Sequence, residues 1–217
     1  NELPATEVKG VSDMRFPQND EDLHILRYFG NEVGTFLDAG ANDGRTLSNT
    51  HALALRGWSG VCVEPSPVAF ARLRELYADN PRIETHNVGM CAGNGTAILH
   101  ESGTHLGLGD HSLLSTAKPA EMERWKSSGA KFTPVDFECV TFIELLRRSQ
   151  HAHFDLISID IEGADLELLE QIDLNAVGCR CLCVEWNGQN ERLFTSLAKE
   201  GGLRLLTKNP ENLIFCR

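Results

Sequence analysis

The chain has 217 residues, with 20 Lys+Arg against 31 Asp+Glu, a formal charge of −11, and 41% hydrophobic and 24% charged residues. This is the balance of a folded globular protein rather than a disordered one, and the length suits one domain of ordinary size. The acidic excess argues against a protein that tracks phosphates or lies on a membrane surface, since both concentrate Lys and Arg; no nucleic-acid partner is expected.

Residues 1 to about 20 are polar and contain proline, as in an arm lying over a domain. Asp20–Phe29 then places Leu23, Leu26 and Phe29 at helical spacing, with acids in the first turn. Beyond it, short β-like runs alternate with helical patterns. Thr35–Asp38 is a strand, and Thr46–Arg56 a helix stopping near Gly57. Gly60–Glu64 is the next strand, after which Ser66 and Pro67 cap and open a helix through about Tyr77. Arg82–His86 and Thr96–His100 are further short strands. Phe154–Asp160 is a near-continuous apolar run, the mark of a strand covered on both faces, and Arg180–Trp186 is another. Asn190–Glu200 is helical, and Leu203–Thr207 with Asn212–Cys216 form a closing hairpin.

Strands separated by helical patterns of about 10–15 residues indicate an α/β fold with a doubly wound, mostly parallel sheet. The exception is the connection spanning 101–134, which holds GTHLGLGDHSLLS and a helical AKPAEMERWKSS. A long connection within a compact domain is usually functional, and this one is read as a substrate-covering insertion. The expected organisation is a single domain over 1–217, with an N-terminal arm and helix over 1–30.

No apolar run approaches the roughly 18–20 residues that span a bilayer, and NELPATEVKGVSDM lacks the basic-then-apolar pattern of a signal peptide. The seven cysteines form no CxxC pair. They suggest neither a disulfide framework nor a zinc site, and fit a reducing, cytoplasmic setting. Cys179, Cys181 and Cys183 alternate along a strand and are expected as small buried hydrophobes on one face.

The strongest local signal is FLDAGANDG, Phe36 to Gly44. An apolar strand ends in Asp38, and Gly40 and Gly44 flank a turn that lets the backbone bend tightly against a ligand. A nicotinamide dinucleotide would want GxGxxG here. The glycine spacing differs, and Asp38 and Asp43 would repel a pyrophosphate. An acid at the strand end suits a ligand carrying hydroxyls or positive charge, and S-adenosylmethionine carries both. The second strand ends in Glu64, placed to accept two ribose hydroxyls.

The run FLDAGANDGRTLSNT…LRGWSGVCVEPSP resembles the FkbM family of S-adenosylmethionine-dependent methyltransferases, as do IDIEGADLELL, CVEWN and the closing GGLRLLTKNPENLIF. The resemblance implies a class I methyltransferase (Rossmann-like) fold, with seven strands of which the last two form the hairpin. It implies a cofactor held by Asp38, Gly40, Asn42, Asp43 and Gly44, with Glu64 on the ribose, Pro65 and Ser66 following it, and Asn87 beside the adenine. One departure stands out. The family's Thr-Leu-Asp-like motif reads Val140-Thr141-Phe142-Ile143-Glu144, so Glu144 is the residue left to replace the missing Asp.

Methyl transfer to an alcohol needs a proton acceptor or a metal, because an alcohol is a weak nucleophile at neutral pH. The candidates at the sheet's C-terminal edge are Asp160 and Glu162, with His111 from the long connection. Asp160, Glu162 and Glu185 also form a possible oxygen ligand set for Mg2+ or a similar divalent cation. The leading expectation is an O-methyltransferase. Its hydroxyl acceptor, on a sugar, glycan precursor or natural product, is implied by the resemblance alone. A dinucleotide oxidoreductase and a non-catalytic S-adenosylmethionine-binding protein are the alternatives.

Overall fold

The computed structural model describes residues 20–103, 114–118, 122–123 and 131–217. The first helix, α1 (Glu21–Phe29), precedes strand β1 (Thr35–Ala39), and a short helix α2 (His51–Leu55) leads to β2 (Ser59–Val63). Helix α3 (Pro67–Leu76) and β3 (Ile83–His86) follow, then β4 (Gly89–Met90), β5 (Gly95–Ser102) and β6 (Phe132–Val140). Next come α4 (Phe142–Arg148), β7 (Leu156–Ile159), α5 (Asp165–Leu169), β8 (Cys181–Glu185) and α6 (Glu191–Glu200). The strands β9 (Arg204–Lys208) and β10 (Asn212–Cys216) end the chain.

Seven strands form one sheet in the order β3-β2-β1-β7-β8-β10-β9. The first five pair in parallel, and β10 runs antiparallel to both β8 and β9 as the expected hairpin. Alternate residues of the buried strands feed two cores. Leu37, Val61, Ile157 and Leu182 pack with Leu145 of α4, Leu168 of α5 and Phe194 of α6. On the other face Phe36, Cys62, Leu156 and Cys181 pack with Ile25 of α1, Leu53 of α2 and Leu73 of α3. Helices on both faces make the sheet doubly wound, and the order reverses between β1 and β7, the place where open α/β sheets bind ligands. None of the described helices is long and apolar enough to cross a membrane.

Three local expectations change. The helix expected over Thr46–Arg56 is confined to His51–Leu55. Asp43 Oδ1 accepts the N–H groups of Arg45 and Thr46, Leu47 lies at φ 56°, and Ser48 Oγ accepts from Thr50 and His51. These side chains take the backbone donors before a helix can. The sequence reading also gave no strand at β4 or β6, yet a second sheet forms in the order β4-β6-β5. Finally, of the three cysteines expected on one face, Cys181 and Cys183 share a core layer and Cys179 does not. Cys179 precedes the strand, where alternation does not apply, and packs in the other layer.

The cysteines bring a further correction. Cys91 and Cys139 form a disulfide, a pair 48 residues apart that no sequence spacing announced. Pairing of β4 with β6, Gly89 opposite Cys139, brings them together. Cys62, Cys179, Cys181, Cys183 and Cys216 are free and buried. Thiol titration in denaturant should therefore count five groups before reduction and seven after; seven in both samples would contradict the pairing.

Candidate functional site

At the tip of β1 the chain turns between two neighbouring strand ends. Gly40 and Ala41 both donate to the Val63 carbonyl at 3.0 Å, and Asp160 donates to the Ala39 carbonyl at 2.9 Å. Gly40 sits at φ 90°, and a Cβ on it would fall 1.7 Å from the Asp160 carbonyl oxygen. Gly44, at φ 78°, is required for a different reason, because a Cβ there would meet Leu73 of α3 at 2.6 Å. Asp38 is 6% exposed and accepts from Thr50 Oγ1 at 2.6 Å. Burial raises its carboxyl to about 6, against the opposing Thr50 hydrogen bond.

Glu64 follows β2 and fastens both sides of the same turn. Its Oε2 accepts from the Asn42 backbone at 2.9 Å and its Oε1 from the Ser66 backbone at 2.7 Å. Each oxygen keeps a lone pair for one more donor. Burial is the largest influence on this group and raises it to about 7, with the two backbone N–H groups opposing. Ser66 caps α3 by accepting from Ala69 N and donates to Glu101. Asn87 donates to the carbonyls of Glu64 and Pro65 at 2.8 and 3.1 Å, so its amide braces this loop from outside the cavity.

Beyond the tips of β7 and β8 lie Asp160, Glu162 and Glu185, each offering a carboxylate oxygen within 4.8 Å of the others. Asp165 holds the intervening loop, accepting from Ile161 and Gly163 N–H groups, and Thr116 donates to the Glu162 carbonyl at 2.8 Å. Burial, then the charges of Asp160, Glu162 and Asp165, push the Glu185 carboxyl far above the usual carboxylate range.

A cavity of about 590 Å³ joins these places. Asp38, Gly40, Asn42, Glu64 and Pro65 line it, as do Asp160, Glu162 and Glu185. The opposite wall is the second sheet, with Met90, Leu99, Phe137 and Cys139, together with Leu114, Ser115, Ala117 and Lys118 from the long connection. Asp43, Gly44 and Ser66 build the turn and the helix start without facing the cavity. His111 lies outside the described residues. Glu144 is tied to Arg148 at 3.0 Å on α4 and does not line the cavity.

Sequence reasoning missed Asn49 and Ser158, which line the cavity beside Asp38. The Asn49 amide donates to Ser158 Oγ at 3.3 Å, while its Oδ1 is buried with no hydrogen-bond partner. It also missed the second-sheet wall, although Val135, Phe137 and Cys139 alternate with Asp136 and Glu138 in a readable strand pattern. Lys118 is the one basic side chain among the described lining residues, and it pairs with Glu167 at 2.6 Å. This acidic pocket with an orphaned acceptor suits a ligand rich in donors and positive charge rather than a pyrophosphate.

The family model for the methyltransferase FkbM domain matches residues 38–200. Among solved structures, methyltransferase FkbM from Methylobacillus flagellatus is 14% identical, the match covering 85% of this chain and 44% of that one with a TM-score of 0.53. A human methyltransferase 10 domain containing protein is 10% identical, over 92% of this chain and 82% of that one, at 0.48. A ribosomal protein L11 methylase from Lactobacillus delbrueckii subsp. bulgaricus is 12% identical, over 90% and 74%, at 0.45. The first of these likenesses shows a shared fold. The chain spans less than half the length of that structure. No curated protein sequence matches the chain significantly.

Proposed function

Since the chain belongs to the FkbM methyltransferase family, we propose that it methylates a hydroxyl oxygen of a small-molecule or glycan acceptor, using S-adenosylmethionine. The observation that carries this reading is the single cavity running from Asp38, Gly40 and Glu64 to Asp160 and Glu162. It offers acceptors for a donor-rich cofactor at one end and proton-accepting carboxylates at the other. The orphaned Asn49 Oδ1 beside Asp38 fits an ammonium group.

S-adenosylmethionine, when bound, supplies an electrophilic methyl carbon on a sulfonium. The chain's own residues then have three tasks. Glu64 accepts the ribose hydroxyls with the lone pairs left by Asn42 and Ser66. Gly40 and Asn42 keep the backbone low enough for close approach. Asp160 and Glu162 receive the acceptor's proton. With the acceptor oxygen aligned on that methyl carbon, the hydroxyl proton would pass to one of these carboxylates.

The acidic lining favours a neutral or cationic acceptor over a polyanion. The 101–134 connection is the proposed cover of the acceptor end, supported by Leu114, Ser115 and Lys118 in the cavity wall. The whole chain acts as one catalytic domain in this reading. Calorimetry with S-adenosylmethionine and its demethylated product is the direct test. Micromolar binding of both is expected, and a folded sample that binds neither at high micromolar ligand would refute the proposal.

A further inference from the structure

We propose that Asp160, Glu162 and Glu185 bind a hard divalent cation of the Mg2+ type, which would hold and acidify the acceptor's hydroxyl. Two observations carry this. The first is convergence: three carboxylates from adjacent strand ends, β7 and β8, each bring an oxygen within 4.8 Å of the others. The second is an unmet acceptor. Glu185 is 8% exposed, and its Oε2 is buried with no hydrogen-bond partner. A carboxylate oxygen withdrawn from water and left without a donor costs free energy unless a ligand fills it.

The chemistry of the set selects the ligand. All three donors are anionic oxygens, the preference of Mg2+, Mn2+ and Ca2+; zinc sites favour nitrogen and sulfur. Lys118, the basic side chain among the described lining residues, is engaged by Glu167. Asp160 is exposed and Glu162 half-buried, so the open side of the cluster faces the cavity. One oxygen from each carboxylate leaves about three positions of a six-coordinate shell for water and the acceptor. Two of those positions suit adjacent oxygens on one molecule. The inference leaves room for an acceptor that chelates, such as a vicinal diol, with water filling the remainder. It rests on the reading above that this end of the cavity receives the acceptor. With the cation held, Asp160 and Glu162 would serve as its ligands rather than as the proton's acceptor, and the hydroxyl proton would leave to solvent water on the exposed Asp160 side as the oxygen takes the methyl group.

The test is Mn2+ titration of the chelator-treated full chain, followed by electron paramagnetic resonance. One saturable site per chain, displaced by Mg2+, is expected. Glu185→Gln should weaken Mn2+ by at least about tenfold. Asp160→Asn, at an exposed position, should do the same and keeps the test decisive where the buried substitution fails to fold. No saturable site in the wild-type chain, or an unchanged affinity in Asp160→Asn, overturns the proposal. S-adenosylmethionine titrated into the same chelated sample separates the two readings. Cofactor binding without a Mn2+ site removes the cation alone, and Mn2+ binding without cofactor removes the methyl-donor reading alone.

Discussion

A Gly40→Ala variant is expected to lose about 3 kcal/mol or more of unfolding free energy, and with it the alignment of the candidate site. Two costs add. At φ 90° any side chain pays the left-handed penalty of roughly 1–2 kcal/mol. The new Cβ would also fall 1.7 Å from the Asp160 carbonyl oxygen, which is backbone and has no rotamer to change. Nor can the turn shift away. Gly40 and Ala41 are bonded to the Val63 carbonyl on one side, and Asp160 to the Ala39 carbonyl on the other. Relief would break hydrogen bonds at the ends of three central strands. Gly57 supplies the control, since it lies at φ 92° with open space around the missing Cβ. Urea unfolding of Gly57→Ala should therefore show the conformational cost alone, roughly 1–2 kcal/mol. Equal destabilisation of the two variants would show that the contact with Asp160 does not matter.

That contact also explains what the sequence could and could not convey. The acids at the strand ends were legible because a buried parallel strand reads as an apolar run, and the run stops where the chain reaches the sheet edge. Asp38, Glu64, Asp160 and Glu185 all follow that rule. Which of the turn residues face a ligand was not legible. Asp43 and Asn87 carry the right chemistry but do not line the cavity, Asp43 accepting from Thr46 and the Asn87 amide nitrogen donating to the Glu64 and Pro65 carbonyls. The second sheet escaped because Pro134 demotes β6 as a strand and its partner β5 lies across a long connection. The unmet Glu185 oxygen is a property of three-dimensional packing and has no sequence signature.

Glu64 should make cofactor affinity depend on pH in a direction opposite to that of stability. Burial raises its carboxyl from the ordinary 4.5 to about 7, so between those values the folded chain holds more protons than the unfolded one. Its contribution to ligand-free stability is therefore fully present below the unfolded value and is lost as pH rises through about 7. Ribose hydroxyls, in contrast, are donors and prefer the ionised form, so binding should release a proton and tighten as pH rises through the same range. Asp38, raised by burial from 3.8 to about 6, adds a second and lower component. Glu64→Gln places an amide NH2 against either the Asn42 or the Ser66 N–H, which loosens the turn as well as weakening the ribose contact. A loss of about 1–3 kcal/mol in S-adenosylmethionine binding is expected. Loosening alone would lower affinity equally at every pH. The carboxylate's own titration is what the variant removes, leaving only the Asp38 component centred near 6. Calorimetry from about pH 5.5 to about 8.5 resolves the two. A wild-type affinity that stays flat through about 7, or a Glu64→Gln profile parallel to it, would exclude Glu64 as the group that receives the ribose.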